Sequence, residues 1–442
     1  MDAVSQAVNE ACGALSNINQ TLWIAYSGGM DSHVLLHAFC KVSKQFPELS
    51  LKAVHVNHQL QDEAERWEKH CHSVCEALNV PYTSLSVDAK PQSGDSPEDA
   101  ARKARYQAIE QCLEPGDILL TAHHQTDQAE TLLLQLMRGS GLAGLAAMPE
   151  QRDKQSYQHG RPLLNLSRVS LLSYAKENQL QWVEDPTNDD RAIRRNYIRH
   201  EVVPVLEQQW PNASHLIASS AAYLADSFEL LTECLDDYLE LVLIGPDVLA
   251  LEPLLEFSRN KQFHIIRHWY RSLGLAQPGA DKLSVILDEI ILAREDATPK
   301  LQWQGSQLIR HRNRLILLPN WAEPDSDKCI VLSEQGISTD YWSFSMNAPT
   351  EDRELTIRYG DYGEIVRLNG QTKKLKQLYK DKGLPVALRA VIPKIYADEE
   401  LILVPGIWQS GTTPELDYQF DFNRLGLKSK HRYSLLTILI AS

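Results

Sequence analysis

One stretch constrains this chain more than any other: LWIAY (22–26) runs into SGGMDS (27–32) and then into HVLLHAFC (33–40). A β-branched and aromatic run, a glycine pair and an apolar segment of helical period read as strand, loop and helix, the setting of a phosphate site. Gly28 and Gly29 let the backbone turn tightly and present N–H groups as an anion nest, with Ser27 and Ser32 as hydroxyl donors beside Met30. The Gly-Lys-Ser/Thr of a kinase or GTPase loop is absent, and Asp31 stands in its place. A carboxylate there repels phosphate unless Mg²⁺ lies between them, so the loop suits a Mg-pyrophosphate. Ser27 to Ser32 are therefore candidate ATP-binding residues; an ordinary Gly-Gly turn is the plainer alternative.

The loop belongs to a longer pattern. LWIAY, LKAVHV, YTSLSV and DILLTAH alternate with helical segments between Thr21 and about Trp182. That alternation predicts an α/β fold with a Rossmann-like parallel sheet. Ser96, Pro97, Glu98 and Asp99 signal a helix start, and the helix should run from Pro97 to about Leu113. On it Ala104, Ala108 and Cys112 recur every four residues, while Arg102 and Arg105 fall on another face, open to an anion.

A length of 442 residues implies more than one core. Residues 1–212 read as the α/β domain that carries the loop and 213–320 as a separate, mostly helical domain that ends in the strand-like LQWQGSQLIRHRNRLILLP. WAEPDSDK (321–328) begins a linker, and 330–442 read as a small α+β domain carrying Lys373, Lys374, Lys376, Lys380 and Lys382.

A net charge of −14 excludes a protein that coats nucleic acid indiscriminately, but leaves room for selective RNA binding through local basic patches. No stretch approaches a membrane-spanning length, and the amino terminus has neither a basic nor an apolar signal region, so a cytoplasmic protein is expected. The 7 cysteines show no paired framework. Cys71 and Cys75 share one helix face and read as core packing. The oligomeric state stays open, a homodimer included.

Two further clusters carry chemistry. In TAHHQTDQAETLLLQLMRGSG (121–141), Asp127 and Glu130 sit three apart at a helix start, and His123 precedes them. If the sheet brings its first and fourth strand ends to one edge, these residues join the SGGMDS loop in a metal and nucleotide site. In VEDPTNDDRAIRRNYIRHEVVPVL (183–206), Arg191, Arg194, Arg195 and Arg199 stand among Asp185, Asn188 and Asp189. A solvated helix face is one reading; arginines holding RNA backbone or a transition-state phosphate is the other.

At these places the chain resembles the tRNA(Ile)-lysidine synthetase family, within the N-type ATP pyrophosphatases. SGGMDS marks the whole superfamily; SPEDAARKARYQAI, AHHQTDQAETLLLQLMRGSGLAGLAAM, GRPLL and DPTN with RRNYIRHEVVP mark the family over most of residues 20–206. KKLKQLYKDKGLPVALRAVIPKIYADEELILVPGI resembles the last domain of its longer members. Thr126 stands where the family usually has the first of two acidic residues, which leaves Asp127.

The resemblance implies that ATP is cleaved to AMP and pyrophosphate while L-lysine is joined to the wobble cytidine of a tRNA(Ile) with a CAU anticodon. Adenylation of the C2 oxygen makes it displaceable by the lysine ε-nitrogen. It also implies that Asp31 and Asp127 hold Mg²⁺ with Glu130 assisting, and that His123, Arg102, Arg105 and Arg195 serve the reaction. Arg191, Arg194, Arg195, Arg199, Lys373, Lys374, Lys376 and Lys380 then serve tRNA binding. A thiolase of the same superfamily is disfavoured because no C-x-x-C occurs, an amidotransferase because no glutaminase domain is visible. A catalytically dead nucleotide or RNA binder is the reading from another class.

Overall fold

The computed structural model describes residues 1–15, 21–57, 64–87, 97–154, 156–294, 297, 299–320, 324–326, 328–332, 337–339, 342–346, 353–360, 363–368, 370–411 and 416–420. The chain divides into two compact units, Met1–Leu230 and Leu231–Ser442. Among the described residues no helix is long and apolar enough to cross a membrane.

The first unit begins with α1 (Ala3–Leu15), β1 (Thr21–Ala25), α2 (Met30–Val42), β2 (Ser50–Asn57), α3 (Ala64–Ala77), β3 (Tyr82–Ser86), α4 (Pro97–Cys112) and β4 (Ile118–Leu120). It continues through α5 (Gln125–Met137), α6 (Leu142–Leu145), β5 (Gln151–Asp153), β6 (Gln158–Gly160), α7 (Arg168–Glu177), α8 (Arg194–Tyr197) and α9 (Val203–Gln209), and ends within α10 (Ala213–Val242). The sheet order is β3-β2-β1-β4-β6-β5, parallel throughout except for β5 at one edge.

Burial explains why these segments are strands. Leu22, Trp23 and Ile24 of β1 are all buried, as a central parallel strand covered on both faces requires. On one face Leu22 and Ile24 join Val8, Leu35, Phe39, Cys71, Cys75 and Tyr174. On the other, Trp23 packs with Val54, Ile109 and Leu119. Cys71 and Cys75 are thus free thiols in the core, both pushed up to about 12 chiefly by burial.

Helix α4 spans the expected residues, while Ser96 lies outside the described ones. Its deepest side chains are Ala100 and Ile109; Ala104, Ala108 and Cys112 are only half-buried. The four-residue repeat marks small side chains on the flank of the face that packs.

In the second unit the strands Leu243–Gly245, Val248–Ala250, Arg314–Pro319, Ser306–His311 and Lys300–Trp303 form one antiparallel sheet. Helices α10 and Arg259–Ser272 lie within the segment 213–320, and the strand-like run at its end forms the last strands of this sheet. Leu254, Ile265, Trp269 and Leu315 fill the core there. A second five-stranded sheet of Ile330–Val331, Leu355–Arg358, Lys394–Ala397, Glu400–Val404 and Trp408–Gln409 carries the terminal α+β portion.

Candidate active site

Strands β1 and β4 are direct neighbours, with Leu22 opposite Ile118, Trp23 opposite Leu119 and Ile24 opposite Leu120. The helices that follow β1 and β4 start at the same sheet edge. That is the switch point of a doubly wound sheet, where the loops part and leave a crevice.

After β1 the chain turns at Gly28, whose φ of +84° lies in the left-handed region. A Cβ on Gly28 would stand 2.9 Å from the Cys71 sulfur, so both backbone angle and space require glycine. Helix α2 begins at Met30, which places Asp31 and Ser32 in its first turn, at the positive helix end. The two serines do less than expected as phosphate donors. Ser32 Oγ accepts from the Ser27 amide at 3.2 Å and donates to the Gly29 carbonyl at 3.0 Å. That uses its only proton, so the Ser27 hydroxyl donates to Ser32 Oγ at 3.0 Å. Both protons shape the loop, and the Gly29 amide turns inward as well, towards Ser27 Oγ at 3.4 Å; the amides at the start of α2 remain as the anion donors.

After β4 the chain caps α5. The His124 amide donates to Asp127 Oδ2 at 3.0 Å, and His124 Nδ1 accepts from the Thr126 amide at 3.2 Å. His124 Nε2 then stands 3.6 Å from Asp31 Oδ2 and 3.5 Å from Asp127 Oδ2. Burial alone lowers this imidazole; Asp31, Asp127 and Glu130 outweigh burial and raise it. The sequence pattern singles out His123, but the residue that joins the loop to the carboxylates is His124. Two adjacent histidines are indistinguishable by type, and only the cap geometry separates them.

Behind this lies a four-charge cluster. Arg195 Nε donates to Glu130 Oε2 at 2.7 Å and its Nη2 to Asp127 Oδ1 at 2.9 Å. Arg199 Nε donates to Glu130 Oε1 at 2.6 Å, and its Nη2 reaches Glu130 Oε2 at 3.0 Å and Asp127 Oδ1 at 3.3 Å. Burial raises the Asp127 carboxyl, but His124, Arg195 and His123 outweigh it and hold Asp127 well below the usual carboxylate range.

A cation is best fitted at Asp31: its Oδ1 is buried with no hydrogen-bond partner. Asp127 Oδ2 faces the same imidazole. Glu130 does not join them, because both its oxygens are bound by arginine. Among the described residues no group of three or more His, Cys, Asp or Glu side chains is arranged to hold a metal. The assisting-ligand role expected of Glu130 is thereby corrected to that of an arginine counterion.

The remaining expected residues scatter. Arg102 and Arg105 both stand over the Tyr106 ring, at 5.3 and 5.4 Å. His123 bonds to Thr121 at 2.8 Å. Arg195 and Arg199 are drawn inward by the carboxylates, which leaves Arg191, paired with Glu201, and Arg194 as the exposed members of their set. In the second unit Lys374, Lys376 and Lys380 are exposed, and Lys373 pairs with Asp381 at 3.3 Å.

Family comparison agrees with this architecture. Residues 3–206 match the family model described as PP-loop domain, 249–316 the TilS substrate binding domain, and 355–417 the TilS substrate C-terminal domain. The tRNA(Ile)-lysidine synthase of Coxiella burnetii is 36% identical over 411 residues, covering 88% of this chain and 89% of that protein. That of Serratia proteamaculans is 38% identical over 411 residues, covering 89% and 93%. Among solved structures, the U34-tRNA thiolase NcsA from Methanococcus maripaludis is similar at 18% identity and a TM-score of 0.43, covering 50% of this chain and 78% of that one. With relatives matched along nearly their whole length, this chain belongs to the tRNA(Ile)-lysidine synthase family.

Proposed function

We propose that this chain ligates L-lysine to C2 of the wobble cytidine of tRNA(Ile) with a CAU anticodon, releasing AMP and pyrophosphate. Such a product converts a methionine-reading tRNA to isoleucine decoding. The observation that carries the reading is the meeting of Asp31, His124 and Asp127 at the β1/β4 edge, in a chain aligned over most of its length with relatives of that name.

The amides at the start of α2, freed by the glycine turn, receive the pyrophosphate portion of ATP. Asp31, together with Asp127, would hold Mg²⁺, which would supply neutralisation of phosphate charge. The cytidine O2 attacks the α-phosphorus and pyrophosphate leaves; the lysine ε-nitrogen then attacks C2 and AMP leaves with O2. Arg195 and Arg199 keep Asp127 ionised and fixed, and Glu130 keeps the two guanidiniums in place. An anticodon base is single-stranded and enters a pocket without the cost of opening a duplex.

Domain roles follow as part of the same reading: catalysis in 1–212, substrate binding in 213–320, and tRNA phosphate contacts from Arg191, Arg194 and the lysines of 330–442. The test is uptake of labelled lysine into a CAU transcript beside a GAU transcript. Uptake into CAU alone supports the reading, and equal or absent uptake contradicts it.

A further inference from the structure

Beside the carboxylates lies a second set of polar groups that the reaction as written does not use. Arg161, from GRPLL, is 5% exposed, yet no carboxylate among the described residues pairs with it. Its Nη1 donates to the Pro149 carbonyl at 2.7 Å, and its Nη2 lies 3.2 Å from His159 Nδ1. His159 Nε2 lies 2.9 Å from Thr121 Oγ1, which lies 2.8 Å from His123 Nδ1. The strand pairing of β4 with β6, Leu119 opposite His159 and Leu120 opposite Gly160, sets His159 beside the end of β4, where Thr121 follows.

The direction of every bond in this relay is determined. A guanidinium only donates, so His159 Nδ1 is an acceptor and carries no proton. The ring's proton must then sit on Nε2, which donates to Thr121 Oγ1. The threonine hydroxyl has one proton, and His123 Nδ1 is the acceptor within reach of this 7%-exposed residue. His123 Nδ1 is thereby filled, and its own proton sits on Nε2. No described residue accepts from that Nε2–H.

We infer that Arg161, His159 and Thr121 are positioning residues that lock His123 as the neutral Nε2–H tautomer, so that it offers a hydrogen bond to an oxygen of the bound nucleotide rather than taking a proton. The surroundings agree. Burial first, and then Arg161, Arg195 and Arg102, push His123 down to about 3, against the opposing pull of Asp127. Burial and Arg161 push His159 down to about 2. The same cations that disfavour a proton arriving on His123 favour an anionic oxygen in front of it. No proton is transferred; the group acts as a fixed donor dipole. While the relay is intact His123 is neither the base for the lysine amine nor a metal ligand. The choice of a nucleotide oxygen rests on the proposed reaction; the tautomer does not.

The experiment uses the full chain with histidines labelled in nitrogen-15, His123 being assigned by its loss in His123→Asn. The wild type should show His123 protonated on Nε2 and bare on Nδ1 at neutral pH. Thr121→Val should give a mixture of tautomers, and Thr121→Ser should restore the single one. His159→Gln keeps the direction, since its carbonyl accepts from Arg161 and its amide donates to Thr121, whereas His159→Phe breaks it. AMP release should fall about ten-fold in kcat in Thr121→Val, with KM for tRNA unchanged, and recover in Thr121→Ser. An Nδ1-protonated or cationic His123 in the wild type overturns the inference. So does an unchanged spectrum in Thr121→Val, or full activity in His123→Asn. If Thr121→Val does not fold, the wild-type, Thr121→Ser and His159→Gln spectra still decide. Absence of lysine uptake by the wild type sinks the proposed reaction but not the tautomer.

Discussion

Arg195 Nε lies 2.7 Å from Oε2 of Glu130, and the Glu130 side chain has no exposed surface at all. A buried carboxylate held by two arginines is costly to remove, because two guanidiniums are then left facing Asp127 alone. Glu130→Ala should destabilise the first unit by about 3–5 kcal/mol, read by denaturant unfolding. A loss below about 1 kcal/mol, no more than an exposed ion pair contributes, would contradict that role for Glu130.

The two glycines of the loop should respond differently. Gly28→Ala meets both a left-handed φ and the Cys71 sulfur, whereas Gly29, at φ −74°, would place its Cβ no closer than 3.5 Å from Ser27 Oγ. Gly28→Ala should weaken ATP binding at least about ten-fold by titration calorimetry. Gly29→Ala should cost little, and equal losses would refute the geometric distinction. Adding Cys71→Ala to Gly28→Ala removes the clash but not the strain, so recovery should be partial.

Asp127 gives stability a sign with pH. Its native carboxyl is held below the unfolded value of about 3.9, so the folded state binds the proton less readily than the unfolded one. Its contribution is full above that value and is lost as pH falls through the native one. Asp127→Asn should therefore flatten the decline in melting temperature below about pH 4. Parallel declines in both proteins would contradict the pairing.

The lysines of the terminal domain make a salt-dependent prediction. Joint reversal of Lys374, Lys376 and Lys380 to glutamate should weaken tRNA binding and reduce the log–log salt slope by about 0.7–0.9 for each phosphate no longer neutralised. Unchanged affinity and slope would remove the patch from the tRNA interface.

The sheet, the glycine turn and the meeting of β1 with β4 were legible because each is a local or periodic signal: buried runs, a turn that needs glycine, alternation that forces crossovers. The cluster of Glu130 with Arg195 and Arg199 was not, since pairs separated by more than sixty residues leave no trace in spacing. By spacing alone those arginines read either as a solvated face or as a set holding RNA backbone or a phosphate; the carboxylates draw two of them inward. Ser27 and Ser32 read as donors, and only the loop's internal bonds show their protons in use. His124 was hidden beside His123, because the choice between them rests on which one caps α5.

The most direct test of the account compares the wild type with Asp31→Ala for labelled lysine joined to a CAU tRNA(Ile) transcript and for AMP released in the same reaction. The account predicts equal molar amounts of the two from the wild type and neither above background from the variant. AMP without lysine, or a variant as active as the wild type, would contradict it.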